Sequence, residues 1–389
     1  MSQERVMTTT YATKPHIFAG IDTPFRRVAE SRTNLRLPAG LSVVSADGHW
    51  SITDDIFYER FPSRLKDRAP RLMKDETGFF DWRIGGQSIF PDFLRDTFSA
   101  FEKVDGCTQM DARIRDLDAE GIDKEIAFGN AIAFFYGSPD LEVREWVFRI
   151  YNEHLSEMQA RAPGRFYGVG LINYWDPTQA KASIDELKSL GLKTFLLPIS
   201  PKGADMESLN YCVPEMDRLW SAIEESGLPV CYHVGEHFQP GPGAAGTAAM
   251  VNFAPFRKTM GELIFGGILD RHPGLQVMFA EGDINWVPGA LQTAAMTYEC
   301  YSDLIEPKIK HHPLHYWQKN LYASFMTDPV GLEMMHHIGV DRVMWSSDYP
   351  HPESVFGRAW TAMEEVLEAV PEAAARKILG DTASRVFNI

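Results

Sequence analysis

The sequence predicts an α/β fold, a (β/α)8 TIM barrel, and three observations carry that prediction. Short apolar, β-branched runs recur eight times from residue 41 onward. Helix-patterned segments separate them, several starting at Asp or Pro and stopping at Gly, the expected boundary signals. Polar side chains able to act as ligands gather at the ends of several runs. Strands joined by helical crossovers run parallel, and eight of them close into a barrel. An open, doubly wound sheet is the competing arrangement of the same alternation.

Residues 1–40 are polar and punctuated by Pro15, Pro24 and Pro38. With too few apolar residues for a core of their own, they read as an N-terminal arm. Such an arm is expected to pack across a subunit boundary, so a homodimer is the expected assembly. The barrel domain spans 41–389 and opens with the strand LSVVSA (41–46). An aromatic-rich insertion over 50–105 follows, with Trp50, Phe79, Phe80, Trp82, Phe90, Phe93 and Phe98. The repeat resumes with the helix DARIRDLDAEG (111–121) and the strand IDKEIAFGN (122–130). RFYGVGLIN (165–173), the helix DPTQAKASIDELKSLG (176–191) and the strand KTFLLPI (193–199) come next. The helix VPEMDRLWSAIEESG (213–227) leads into the fifth strand, LPVCYHVG (228–235). The last three strands are LQVMFAEG (275–282), LYASFMTD (321–328) and DRVMWSSD (341–348). The loop EHFQPGPGAAGTAAMVNF (236–253) lacks the GK[ST] of a phosphate-binding loop and reads as a flexible lid.

A formal net charge of −15 argues against nucleic acid or an anionic membrane as partner. A small-molecule substrate is expected instead. Cys107, Cys212, Cys231 and Cys300 are scattered without a CxxC pair, which suggests neither a disulfide framework nor a cysteine metal site. No apolar stretch reaches the roughly 18 residues of a membrane span. MSQERVMTTTYATKPHIF lacks the apolar centre of a secretory leader, so the cytoplasm is the expected location.

The chemistry lies at the strand ends. In ADGHW (46–50), Asp47 and His49 are two apart, so a strand points both side chains the same way. His233 ends the fifth strand, Glu281 the sixth and Asp348 the eighth. In a parallel barrel these ends share one rim, so residues distant in sequence converge. Two imidazoles and three carboxylates there suit one divalent metal, zinc first, with manganese or iron also possible. Without a cation, three buried carboxylates would be costly. Singly, each residue has an ordinary explanation, the His as a hydrogen-bonding core residue and the Asp as a helix cap. It is the coincidence at several strand ends that favours metal.

His237 and His351, just past strand-end ligands, are candidates for orienting substrate. Trp50, Trp175, Trp286 and Phe238 near strand ends suggest a planar or aromatic one. HHPLH (311–315) has ligand-like spacing but falls between barrel elements and reads as a solvated loop. His336 and His337 read as a helix end, and Cys231 as a small buried residue. Ser346 and Ser347 lack the GxSxG of a nucleophile elbow.

SADGHW, CYHVGEH, FAEGDINWVP and WSSDYPHPES resemble the four signatures of the amidohydrolase-related proteins. That branch of the amidohydrolase superfamily includes aminocarboxymuconate semialdehyde decarboxylase and related C–C-bond hydrolases and hydratases. The likeness runs from residue 41 to the closing ILGDTASRVF (378–387). It implies a (β/α)8 barrel and a mononuclear divalent metal, with Asp47, His49 and His233 as ligands and Asp348 as ligand and proton acceptor. Two departures matter. The commoner first motif is His-x-His, whereas Asp47-x-His49 makes a harder, more anionic site. Many decarboxylating relatives carry His, in a motif resembling AHGG, where this chain has Glu281, a ligand or a proton carrier. Lys193 precedes the fourth strand rather than ending it, so no carbamylated lysine bridging two metals is expected.

The expected function is a metal-dependent hydrolase that activates water to cleave a C–N or activated C–C bond beside a carbonyl. Asp348 would be its general base and Glu281 its proton donor. The alternative is a non-oxidative decarboxylase of an aromatic or dienoic acid. A catalytically silent binding barrel is the remote alternative.

Overall fold

The computed structural model describes residues 29, 35–74, 80–89, 104–130, 132–235, 242–243, 246–247, 250 and 256–389. Most of the arm lies outside the described residues. So do Phe79, Phe90, Phe93 and Phe98 of the insertion, and His237 and Phe238 of the lid.

Eight parallel strands alternate with helices. β1 comes in two pieces, Val44–Ser45 and His49–Trp50. β2 is Lys124–Gly129, and β3 is again split, into Phe166–Gly168 and Gly170–Leu171. β4 is Phe195–Leu196, β5 Val230–His233 and β6 Val277–Ala280. β7 is Leu321–Phe325 and β8 Val343–Trp345. Neighbours pair in parallel register, Val44 opposite Lys124 and Val230 opposite Val277. β8 closes onto β1: Ala46 N donates to Trp345 O (3.0 Å), and Gly48 bridges to Tyr349. That closure makes the sheet a barrel and excludes the open alternative.

Alternation along each strand sorts side chains into two layers. Val44, Ile126, Val169, Cys231, Met278 and Met344 point inward and form one buried cluster. Ala383 and Phe387 of the helix Thr382–Phe387 join this cluster from the N-terminal ends of the strands. There Arg385 Nη1 donates to Tyr322 Oη (3.4 Å). Among the described residues the interior is therefore filled at that end. Val43, Val230, Phe279 and Trp345 point outward and pack under the helices. Cys231 is a packing residue: its Sγ pairs with Thr194 Oγ1 at 3.2 Å, and burial pushes its thiol up to about 12.

The anticipated helices form as Met110–Glu120, Ala180–Ser189 and Asp217–Ser226. Gly121 (φ 73°) and Gly227 (φ 70°) end the first and last of these, in a left-handed conformation that glycine takes without strain. The segment 311–315 is not the loop expected of it. Pro313 opens the helix Pro313–Asn320, and His312 Nδ1 caps it by accepting from Leu314 N (3.2 Å), because proline suits a first helical turn. The described part of the insertion holds an antiparallel sheet of Arg71–Lys74, Phe80–Ile84 and Gln87–Ser88. No described helix is long and apolar enough to cross a membrane.

Candidate metal centre

The break in β1 frees Asp47 and Gly48 from regular pairing, and the chain is held there by side chains instead. Ser45 Oγ donates to Asp47 O (2.6 Å) and pairs with Ser347 Oγ (3.0 Å). Asp348 N donates to Asp47 O (3.0 Å), tying the exits of β1 and β8 together. Glu281 (φ 63°) and Asp348 (φ 54°) both adopt left-handed turns just beyond their strands. For a residue other than glycine this costs on the order of 1–3 kcal/mol, and it breaks the in–out alternation that a continuing strand would impose. Glu281 N, donating to Ser324 Oγ (3.2 Å), helps to hold the first of these turns.

The result is one compact cluster. Asp47, His49, Glu281 and Asp348 are buried, and the His233 side chain is 11% exposed. His49 Nε2 lies 3.1 Å from Asp348 Oδ1, 3.6 Å from Asp47 Oδ1 and 3.7 Å from Glu281 Oε2. His233 Nε2 lies 2.9 Å from Glu281 Oε2 and 3.5 Å from Asp47 Oδ2. Yet both Asp47 oxygens, Asp348 Oδ2, Glu281 Oε2, His233 Nε2 and His49 Nε2 have no hydrogen-bond partner. Buried polar atoms are rarely left so, and one ligand atom from each of Asp47, His49, His233 and Glu281 lies within 4.8 Å of the others.

The donor chemistry fits a divalent cation there. His233 Nδ1 meets Val234 O at 2.8 Å, which makes Nδ1 the protonated nitrogen and leaves the Nε2 lone pair facing the carboxylates. A carbonyl on the far nitrogen in this way fixes the orientation of a metal-binding imidazole. Lone pairs of nitrogen and carboxylate oxygen repel one another unless positive charge lies between them, and without an ion that charge is a proton. Burial pushes the Asp47 carboxyl up, against the pull of His233 and His49. Burial alone would lower His233, but Asp47 and Glu281 hold it well above its ordinary value. Burial would likewise raise Glu281, but His233 draws it well below the carboxylate range. Two further carboxyls nearby are raised above the ordinary carboxylate range. Burial, reinforced by Asp328 and Glu281, pushes Asp283 up to about 8. Burial, opposed by His351 but reinforced by Asp348 and Glu281, does the same for Glu353.

The five expected ligand residues thus meet at one place, and His351 joins them. Rather than standing apart to orient substrate, its ring stacks on His49 (centroids 3.6 Å apart). Its Nδ1 is 3.2 Å from Asp348 Oδ1, and its Nε2 is 2.9 Å from Asn130 Oδ1. The three tryptophans require correction as substrate contacts, because all three are buried in the hydrophobic core. Trp50 Nε1 donates to His154 Nε2 (2.9 Å), and Trp286 Nε1 to Asp283 O (3.0 Å). Trp175 lies under the Arg144 guanidinium (4.6 Å) and lines a cavity of about 110 Å³ to which no residue of the cluster contributes. Asn130 was missed although it ends β2 on the same rim, a signal available in AFGN. Phe128, whose ring packs 4.6 Å from that of His233, had no such signal.

A family profile described as amidohydrolase matches residues 102–389. The chain belongs to the amidohydrolase family. It is a metal-dependent enzyme of that superfamily. The chain is 25% identical over 284 residues to 2-amino-3-carboxymuconate-6-semialdehyde decarboxylase of Dictyostelium discoideum, covering 70% of this chain and 76% of that protein. It is 23% identical over 281 residues to gamma-resorcylate decarboxylase of Rhizobium radiobacter, covering 67% and 82%. Its fold superposes with a TM-score of 0.66, at 17% identity, on 5-carboxyvanillate decarboxylase of Novosphingobium aromaticivorans DSM 12444. That match covers 93% of this chain and 100% of the other, which was solved with manganese and 3-methoxy-4-hydroxy-5-nitrobenzoic acid bound. All three of these relatives are named as decarboxylases.

Proposed function

We propose that this amidohydrolase is a metal-dependent, non-oxidative decarboxylase of an aromatic or dienoic acid bearing an oxygen substituent beside its carboxylate. The observation that carries the reading is the Asp348–His351 pair, with Oδ1 and Nδ1 3.2 Å apart on the flank of the donor cluster. Decarboxylation needs a proton delivered to carbon, and this pair is built to hold one. The decarboxylase relatives support the choice of reaction. The proposed ligands are Asp47, His49, His233 and Glu281 through Oε2, with Asp348 at the edge of the set. A divalent ion bound there would supply positive charge for the substrate carboxylate and its neighbouring oxygen. The carboxylate-rich donors and the manganese of the Novosphingobium enzyme support manganese, and the imidazoles support zinc.

The pair passes its proton to the carbon that carries the carboxylate. The bond to the carboxylate then breaks, its electrons return to the π system and carbon dioxide leaves. No water is consumed. The test is turnover of hydroxybenzoates and muconate semialdehydes in D2O. Carbon dioxide release with one deuterium at the vacated carbon is expected. Hydrolysis is the second reading, favoured by Glu281 standing where many decarboxylating relatives carry His. Oxygen-18 from water in the product, with no carbon dioxide, would select it.

A further inference from the structure

The Arg113–Glu125 ion pair is fully buried directly behind the centre. Arg113 reaches in from the helix Met110–Glu120 and grips Glu125 of β2 with two nitrogens, Nε to Oε1 and Nη2 to Oε2 (2.7 Å). Its remaining nitrogen, Nη1, donates to His49 O (2.8 Å) and Gly106 O (3.1 Å). The guanidinium also lies 4.8 Å from the Tyr349 ring, whose hydroxyl donates to Asp116 Oδ2 (2.6 Å). Tyr349 O in turn accepts from His49 N (2.6 Å). Both backbone groups of His49 are therefore held, the carbonyl by Arg113 and the amide by the residue after Asp348.

Two glycines record how tightly this brace fits. A Cβ on Gly48, between Asp47 and His49, would come within 3.2 Å of both Arg113 Nη2 and Glu125 Oε2. A Cβ on Gly106 would collide with Tyr349 Oη. A buried ion pair is poor evidence of a stabilising role, because apolar residues of similar size often serve as well. What apolar residues cannot supply is a donor to His49 O. The geometry points to Arg113, oriented by Glu125, as a positioning residue: it sets where the His49 imidazole lies and so governs the affinity of the centre for a divalent ion. This rests on the reading of Asp47, His49 and His233 as a metal site.

The test measures Zn2+ and Mn2+ affinity by competition with a chromophoric chelator, alongside the unfolding midpoint of the metal-free protein. Arg113→Lys keeps the charge against Glu125 but cannot serve Glu125 and His49 O together. The double variant Arg113→Met, Glu125→Leu removes the pair without stranding a charge. Both are expected to fold and to bind metal about 10–100-fold more weakly, as loss of an outer-shell partner does. Wild-type affinity in a folded variant overturns the proposal. So does a weakening that the apolar pair reverses, since that marks a role in stability alone. If the double variant does not fold, Arg113→Lys decides by itself. A wild-type protein that binds neither ion overturns the metal reading instead. None of these results depends on the identity of the reaction.

Discussion

Asp47→Asn should move stability in opposite directions with and without metal. Asp47 is completely buried, and neither of its oxygens has a hydrogen-bond partner. Its carboxyl is held above the ordinary range, first of all by burial. The folded protein therefore binds that proton more tightly than the unfolded chain, and the ionised carboxylate costs stability as pH rises. The uncharged amide removes that cost. An unsatisfied buried polar group costs about 1–3 kcal/mol and a charged one more, so carboxylate and amide differ here by on the order of 1–3 kcal/mol. An unfolding entropy of about 2.1 cal/mol/K per residue gives about 0.8 kcal/mol/K for 389 residues. The metal-free variant should thus melt roughly 1–4 °C above the metal-free wild type at pH 8, with the gap closing as pH falls. Metal should reverse the order. An ion at 100 times its Kd stabilises by about 2.7 kcal/mol, or roughly 3 °C by the same conversion, and the variant should lose most of that rise. Scanning calorimetry with a chelator, then with added Mn2+ or Zn2+, measures both quantities. A lower metal-free midpoint, or an undiminished rise with metal, would refute the reasoning.

Asp348→Asn keeps an oxygen for the metal but cannot share a proton with His351. Turnover should fall by about two to four orders of magnitude with metal content retained, as elemental analysis of the purified variant can check. Asn130→Leu removes the acceptor for His351 Nε2 without touching a donor atom of the centre, so kcat should fall while metal content stays at the wild-type value. A crystal structure should then show the His351 imidazole rotated, and an unmoved ring with normal kcat would count against it. The arm over residues 1–40 is proposed to hold a homodimer together. Light scattering should give twice the chain mass of 43.9 kDa, falling to the single mass when residues 1–34 are deleted.

Much of the architecture was legible because it follows from local pattern. Alternation of β-branched runs with capped helices names the elements, and parallel pairing puts every strand end on one rim. Asp47, His49, His233, Glu281 and Asp348 could be gathered on that argument alone. What lay beyond it depends on where individual side chains turn. Sequence position shows that Trp50, Trp175 and Trp286 lie near strand ends, but tertiary packing buries them in the core. The left-handed turns at Glu281 and Asp348 are held by bonds to Ser324 and Asp47, residues far away in sequence. Arg113 and Glu125 are twelve residues apart on a helix and a strand, an ordinary charged pair in any linear reading. Only closure of β8 onto β1 brings Tyr349 against the pair and turns it into a brace for His49. Periodicity is a property of neighbours along the chain. Convergence on one cluster is set by closure of the barrel, which no local segment encodes.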